Sequence, residues 1–197
     1  MATCNLGQAF NFEFACKTCG AGATPRSPLF IDSNRLGKKA LDATAHDLRI
    51  VVRSALADSL VEEGLTGFVI GPVVHKTETR IRPIPEVRWL EPTFEWPPFH
   101  PSSIVAREDQ CPACRRSGHF DSPSPETSLR YECAPSGATD FGATYEYFGR
   151  WRAPGKSGPD VGGGRLTIIS DRFRRALVAE KVRHVSFEPI DLSWRDA

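Results

Sequence analysis

Two pairs of cysteines with the same spacing constrain the fold of this chain more than any other feature of its sequence. The first pair is Cys16 and Cys19, and the second is Cys111 and Cys114. A two-residue gap lets one tight turn direct both sulfurs at a single ion, with metal–sulfur distances of about 2.3 Å. The sequence therefore predicts one tetrahedral zinc site made by all four cysteines, although iron fits the same four sulfurs.

The long interval between the two pairs determines how such a site would form. About 90 residues separate Cys19 from Cys111, so the tertiary fold has to bring the pairs together, at a loop-closure cost that grows only logarithmically with length. A zinc site with four protein ligands has no open coordination position and is typically structural. We therefore expect one zinc ion per chain, which stabilises the fold and does not catalyse a reaction.

The residues that follow the two pairs differ. Gly20 comes directly after Cys19 and supplies the backbone freedom that such a turn uses. Arg115 stands at the corresponding position of the second pair, so we expect Gly118 to relieve that turn instead. A redox-active pair is the alternative, but it favours a cysteine at a helix N-terminus, where its pKa is lowered. The Gly-Ala-Gly run after Cys19 disfavours a helix there.

The remaining cysteines and two histidines give weaker signals. Cys4 and Cys133 have no partner at this spacing, and we interpret them as isolated thiols. His100 and His119 are chemically able to replace a cysteine ligand, but nothing in their spacing requires it. The metal-ligand prediction therefore stays with the two cysteine pairs.

Composition excludes several classes of protein. The 197 residues include 25 Lys and Arg against 24 Asp and Glu, a net charge of +1, which disfavours a nucleic-acid-binding surface over the whole protein. No apolar run approaches the roughly 20 residues of a membrane span, and the N-terminus lacks the pattern of a signal peptide. We expect a cytosolic protein without a membrane partner, whose thiols stay reduced and favour metal binding over disulfides.

Apolar periodicity in the first half predicts a helix followed by a strand. Leu48, Val52, Leu56 and Leu60 recur every four residues, and Gly64 follows where a left-handed cap would end the helix. The segment TGFVIGPVV then has the composition of a strand. This helix–strand order indicates an α+β fold that is rich in loops.

The second half has the same kind of pattern. Residues 77–101 are rich in proline and aromatic side chains, and the prolines limit any strand at residues 86–91 to the edge of a sheet. The closing segment, RLTIISDRFRRALVAEKVRHVSFEPIDL, predicts a strand, a helix and a strand. Ser170 or Asp171 is suited to cap that helix.

A weak internal repeat runs through the chain. A shift of 117 positions places Leu56 on Phe173, and the cysteine pairs repeat at a shift of 95. The repeat predicts one globular domain over the whole chain, with two similar knuckle, helix and strand halves (1–76 and 102–197) that share the metal and are joined by 77–101. The alternative is that any two amphipathic helix–strand units look alike.

Two other surfaces have competing interpretations. The cations of the C-terminal segment indicate a solvated helix face, or alternatively a phosphate-binding surface beside a zinc ribbon; they include Arg172, Arg174, Arg175, Lys181 and Arg183. The aromatic run is more readily explained by burial than by a protein-docking patch; it comprises Trp89, Phe94, Trp96 and Phe99. No set of nucleophile, base and acid can be recognised, so the sequence does not predict an enzyme.

The cysteine pairs and the C-terminal segment together resemble the double-CXXCG motif immunity proteins of myxobacteria. The resemblance rests on Cys-Lys-Thr-Cys-Gly at 16–20, Cys-Pro-Ala-Cys at 111–114 and ISDRFRRALVAEKVRHVSFEPI near the end, and it covers about two thirds of the chain. The second motif departs from the family at Arg115, where a glycine is expected, and the N-terminus is short for the family.

The resemblance implies a small cytosolic protein that binds and neutralises a cognate protein toxin. The four motif cysteines would be the metal ligands, and no toxin-contacting residue follows from the motif. The competing interpretation is a zinc-ribbon protein that binds nucleic acid through the basic C-terminal helix, a local patch against which the near-neutral net charge does not argue.

Overall fold

A computed structural model describes most of the chain. It covers residues 10–25, 27–31, 43–46, 49–76, 80–103, 110–119, 128–137, 139–148, 165–183 and 185–194. Within these ranges, neither helix has the length and apolar character needed to cross a membrane.

The described residues form thirteen strands and two helices. The strands are β1 (Phe10–Asn11), β2 (Thr24–Pro25), β3 (Leu29–Ile31), β4 (Ala43–His46), β5 (Arg49–Arg53), β6 (Phe68–Lys76), β7 (Ile81–Pro92), β8 (Ser117–His119), β9 (Ser128–Tyr131), β10 (Phe141–Ala143), β11 (Tyr147–Phe148), β12 (Thr167–Ile169) and β13 (Asp191–Trp194). The helices are α1 (Ser54–Glu62) and α2 (Asp171–Ala179). The predicted α+β class is confirmed, with both parallel and antiparallel strand pairs.

One five-stranded sheet forms the largest layer, in the order β3-β6-β7-β5-β4. The β3–β6 pair is parallel and the other three pairs are antiparallel. Four two-stranded ladders accompany it: β1–β2 and β10–β12 are antiparallel, whereas β8–β11 and β9–β13 are parallel. The first half of the chain therefore supplies most of the large sheet, and the second half supplies most of the small ladders.

The prediction of an edge strand at residues 86–91 is wrong, because β7 lies at the centre of the sheet. Its neighbours β5 and β6 both pair with Arg88, Trp89 and Leu90, so no proline of β7 lies where that strand pairs on both sides. Pro83 pairs with β6 alone, and Pro92 ends the strand. Pro83 and Pro92 therefore lie where β7 pairs with β6 and not with β5. Such positions tolerate proline, because it has no N–H to donate to a second neighbouring strand.

The first helix begins later than its apolar pattern predicted. Ile50, Val51 and Val52 belong to β5, because β-branched side chains pack well on a sheet, and α1 begins only at Ser54. The helix ends as predicted at Gly64, which has a φ of 64°. Strand β6 and helix α2 confirm two further predictions, whereas the closing strand covers only Asp191–Trp194.

Both helices pack into one apolar core against one face of the sheet. Leu56 and Leu60 of α1 are fully buried there, and Phe173 of α2 is 2% exposed. Strands β5 and β7 contribute Val52 and Leu90 to the same cluster. At about 25 cal/mol per Å² of apolar surface, burial of these large side chains is the main stabilising term of the fold.

The aromatic run beyond β7 lies mostly inside the protein, as predicted. Trp89, Trp96 and Phe99 are each at most 9% exposed. Trp96 and Phe99 both contact the ring of the buried Tyr131, with ring centroids 5.2 Å apart in each pair. Residues 93–99 therefore form a second core that joins β9 to the end of β7.

Asp140 connects the end of the first helix to the start of the second. Its carboxylate accepts hydrogen bonds from the Thr66 N–H at 3.0 Å and from the Ser170 hydroxyl at 2.7 Å. Ser170 is the predicted N-cap of α2, since its oxygen also accepts from the Phe173 N–H. Burial opposes the charge of Asp140, but the hydrogen bonds from Ser170 and Thr66 outweigh it and lower the pKa of this carboxyl.

The variant Asp140→Ala is expected to lose about 1–3 kcal/mol of unfolding free energy at neutral pH, because three donors, the N–H and hydroxyl of Thr66 and the hydroxyl of Ser170, are left without their acceptor. Since the folded pKa is lowered, this contribution is complete above the ordinary carboxyl pKa and is lost as the pH falls through the folded pKa. Urea unfolding across the acidic range measures both effects. Asp171→Ala is the matched control, because Asp171 is exposed and binds only the neighbouring Arg174 and Arg175 among described residues. Equal losses in both variants would contradict the role of Asp140.

Candidate metal centre

The two cysteine pairs converge although they are distant in the sequence. All four sulfur atoms lie within 4.8 Å of one another. The Cys16 and Cys111 sulfurs are 3.9 Å apart, and the Cys19 and Cys114 sulfurs are 3.5 Å apart. These distances are far longer than a disulfide bond of about 2.05 Å. They are close to the roughly 3.8 Å expected between two sulfurs that are each 2.3 Å from one tetrahedral ion.

Each cysteine pair lies in a turn of the same shape. The Gly20 N–H donates to the Cys16 carbonyl at 2.7 Å, and the Arg115 N–H donates to the Cys111 carbonyl at 2.9 Å. The residue after each pair has a left-handed backbone, with φ of 77° at Gly20 and 58° at Arg115. Arg115 therefore adopts the conformation that glycine adopts in the first turn, at the steric cost of a side chain there.

The expectation for Gly118 is met only in part. Gly118 also has a positive φ of 88°, but it lies within β8, beyond the turn itself. Arg115 therefore supplies the left-handed residue of the second turn. Gly118 is a further left-handed residue beyond that turn. The sequence showed the missing glycine but not that an arginine would take up its conformation.

Backbone N–H groups around Cys16 favour its ionised form. Burial opposes the charge, but hydrogen bonds from the N–H groups of Cys19 and Thr18 outweigh it and lower the pKa of the Cys16 thiol to about 7. N–H donors directed at a sulfur are the environment that a metal-bound thiolate requires. The first turn is therefore arranged to hold negative sulfur.

The other thiols are more deeply placed. Burial raises the pKa of Cys19, although the Ala21 N–H and the Ser117 hydroxyl favour its thiolate. Burial also raises the pKa of Cys114 to about 12, against the effect of the Arg116 N–H. These partly buried thiols resist ionisation without a metal, because burial disfavours the charged form and neighbouring thiolates would repel one another. A bound cation would reverse this balance, since coordination deprotonates thiols.

The hydroxyl of Ser117 provides an independent test of the fit. Ser117 is 3% exposed, and its hydroxyl has no hydrogen-bond partner among the described residues. A buried donor without a partner costs free energy unless it meets an acceptor. This hydroxyl favours the ionised form of Cys19, so a thiolate at Cys19 would offer it an acceptor. The donor set and its surroundings therefore fit a metal bound by four thiolates.

Tyr147 links the two turns. Its hydroxyl accepts a hydrogen bond from the Gly22 N–H at 2.9 Å, three residues after Cys19. Its own N–H donates to the Arg116 carbonyl at 2.6 Å, two residues after Cys114. A single residue of β11 is therefore bonded to the chain immediately beyond both cysteine pairs.

A charged network supports the second turn from outside. One carboxylate oxygen of Glu95 accepts from Arg116 at 2.5 Å and from Arg165 at 2.8 Å. The Arg116 guanidinium also lies 4.0 Å from the centre of the Tyr145 ring. Sequence reasoning missed this network, because Glu95, Arg116 and Arg165 are far apart and carry no common motif.

Of the other predicted candidates, the structure describes the side chains of His100 and Cys133, and neither belongs to the cysteine cluster. The Nδ1 atom of His100 accepts from the Ser102 N–H at 3.1 Å, so this ring belongs to a local turn. Cys133 is exposed and free, in agreement with an isolated thiol. Cys4 and the side chain of His119 lie outside the described part of the chain. The cysteines that the structure brings together are thus the four predicted ones, Cys16, Cys19, Cys111 and Cys114, and they could hold a metal ion.

Comparisons of the chain with protein-family models, with curated proteins and with solved structures found no match. The arguments for function therefore rest on the cysteine cluster, its surroundings and the motif resemblance. The resemblance to the double-CXXCG immunity proteins accordingly stays a proposal.

The variant Tyr147→Phe is expected to lower metal affinity by about 10- to 100-fold, because the Gly22 N–H loses its acceptor and the two turns lose a shared support. Competition between the protein and a chelator of known affinity measures this loss. Tyr145→Phe is the matched control, since it removes a hydroxyl from the neighbouring ring and leaves the Gly22 bond intact. Equal metal affinities in wild type and Tyr147→Phe would show that the hydroxyl does not support the site.

Proposed function

We propose that the four cysteines bind one structural zinc ion and that the protein acts by binding another protein. Four thiolates leave zinc no open coordination position, so the ion would contribute folding free energy. The convergence of both cysteine pairs within 4.8 Å is the observation that carries this proposal. Zinc is preferred to iron because four cysteine ligands in a closed tetrahedral set are the typical structural zinc site.

The redox alternative receives less support. A redox-active pair favours a cysteine at a helix N-terminus, and the residues after Cys19 form a turn and strand β2. The sulfur of Cys16 also lies within reach of the other pair, at 3.9 Å from that of Cys111. Such a mixed cluster suits coordination of one ion better than exchange within a single pair.

We propose, on the motif resemblance, that the bound protein is a toxin and that this chain is its cytosolic immunity protein. Two of the three segments that carry the resemblance, 16–20 and 111–114, contain the cysteines of the cluster. The replacement of the motif glycine by Arg115 counts less against the family resemblance than the sequence alone suggests. Arg115 keeps the left-handed backbone of that glycine. A scaffold of this kind presents loops that can carry binding specificity.

The proposed pair of similar halves has support at two places. Helices α1 and α2 are related by the shift of 117, and each is followed by a left-handed residue, Gly64 with φ of 64° and Lys181 with φ of 53°. The Leu65 N–H bonds to Leu60 and the Val182 N–H to Leu177, both at 3.1 Å. Within the described ranges, the strands of the two halves do not correspond in this way. The proposal of similar halves therefore covers only the turns and the helices.

Nucleic-acid binding through α2 has weaker support, because the arginines of this helix are engaged with acidic groups. Arg174 and Arg175 bind Asp171 at 2.7 and 3.3 Å. Arg172 lies 3.6 Å from Asp140. Paired cations attract phosphate less strongly than free ones, since their charge is already compensated.

Co-expression with a toxin encoded beside the gene for this chain tests the proposed immunity function. The wild type should restore growth of a sensitive host and purify with the toxin as a stable complex. Cys19→Ser should abolish protection, because the fold loses a metal ligand, whereas the exposed Cys133→Ser should protect like the wild type. If the wild type neither protects the host nor binds the toxin, the immunity proposal fails.

A further inference from the structure

The β6–β7 ribbon contains an irregularity that opens a cavity. The register shifts between Pro72 and Val74, so that residues 84–87 of β7 lie opposite Val73. A cavity of about 320 Å³ is located there, within the size range of ligand pockets. Its side chains are apolar apart from Arg88 and include Ile70, Ile84 and three prolines, Pro72, Pro83 and Pro85.

The ribbon beside the cavity is exposed, apolar and cationic. Ile81 is 60% exposed, and Arg82 is exposed next to it. Between residues 80 and 88 the chain has three arginines against one glutamate, Glu86. A surface of this kind attracts acidic partners and orients them on approach.

Arg88 brings a positive charge to the wall of the cavity. Its Nη1 donates to the Pro85 carbonyl at 3.0 Å and to the Val87 carbonyl at 3.1 Å. Both acceptors are neutral, and no described carboxylate forms an ion pair with this guanidinium. The bonds fix the guanidinium in place while leaving its charge available to a partner.

The prolines determine how a partner can be recognised. Pro83 and Pro85 have no N–H to donate, so this part of β7 cannot pair with an added strand in the usual way. They also fix the backbone that surrounds the cavity, which reduces the entropy lost on binding. Recognition here therefore depends on side chains that enter a preformed cavity.

We propose that this cavity is a docking site for a partner protein that inserts an apolar side chain flanked by acidic residues. The apolar side chain occupies the space beside Ile84, and the acidic residues contact Arg88 and Arg82. An apolar anchor in a pocket, surrounded by charged contacts, is the usual arrangement of an interface hot spot. The inference rests on the proposed protein-binding function and names the chemistry of the toxin surface.

NMR titration of the full, isotope-labelled chain with three blocked peptides tests the docking site without the toxin. The probe is acetyl-Asp-Glu-Phe-Glu-Asp-amide; one control replaces Phe by Ala, and the other replaces the four acids by Lys. The probe should shift the amides of Val73, Ile84 and Arg88. Each control should bind at least about tenfold more weakly. Absence of shifts in the ribbon, or equal binding of the three peptides, overturns the proposal.

Variants of Arg82 and Arg88 test whether these two cations bind the probe, or whether the probe responds only to the net charge of the protein. Arg88→Gln keeps a side-chain N–H donor and removes the charge, and Arg82→Glu reverses an exposed charge; both should weaken probe binding about tenfold. Arg183→Gln and Arg183→Glu are the matched controls at an exposed arginine beyond α2. If both ribbon variants bind the probe like the wild type, the ribbon is not the docking site.

The toxin experiment distinguishes this inference from the proposed function. A toxin that binds Arg82→Glu and Arg88→Gln as tightly as it binds the wild type overturns the docking site and leaves the immunity function standing. A chain that binds the acidic probe at the ribbon but neutralises no toxin supports the docking site and contradicts the immunity function.

Discussion

The convergence of four sulfur atoms from two distant turns is the constraint on which the rest of this structure depends. A metal bound by all four would close a loop of roughly 100 residues, and a cross-link over such a length removes about 5 kcal/mol of unfolded-state entropy. Thiolates brought this close would repel one another, and a bound cation would compensate their charges. Tyr147 extends the constraint, because it is bonded to the chain beyond both cysteine pairs. The metal and this tyrosine together would hold the two ends of the loop in one place.

Once the loop is closed, the two helices can share a core. Residues Leu60 and Phe173 belong to opposite halves of the chain and are packed in the same apolar cluster. Asp140 adds a polar connection between the end of α1 and the cap of α2. The central strand β7 then places its proline-rich part outside the core, on an exposed ribbon. The helices therefore pack in the core, whereas residues 81–86 of β7 lie mostly exposed beyond it.

Much of the candidate site could be predicted from the sequence, because cysteine spacing is a local signal with a direct geometric meaning. The end of α1 at Gly64 and the cap of α2 at Ser170 were also predictable, because helix caps depend on residues that are neighbours in the sequence. The position of β7 was not, because it depends on which residues face which neighbour, and only three residues between the prolines pair on both sides. The network around Glu95 was not predictable either, because Glu95, Arg116 and Arg165 come from segments that are distant in the sequence. The left-handed backbone of Arg115 belongs to a local turn, but no glycine at this position indicated it.

The metal content of the purified chain tests the central claim most directly. Elemental analysis should give one zinc per chain for the wild type, and both Cys16→Ser and Cys111→Ser should lose that zinc together with cooperative unfolding, because each removes a ligand of the same site. Cys133→Ser should keep the full zinc content. A chain without metal, or one that retains its metal when either cysteine pair is disabled, would contradict a single site shared by the two turns.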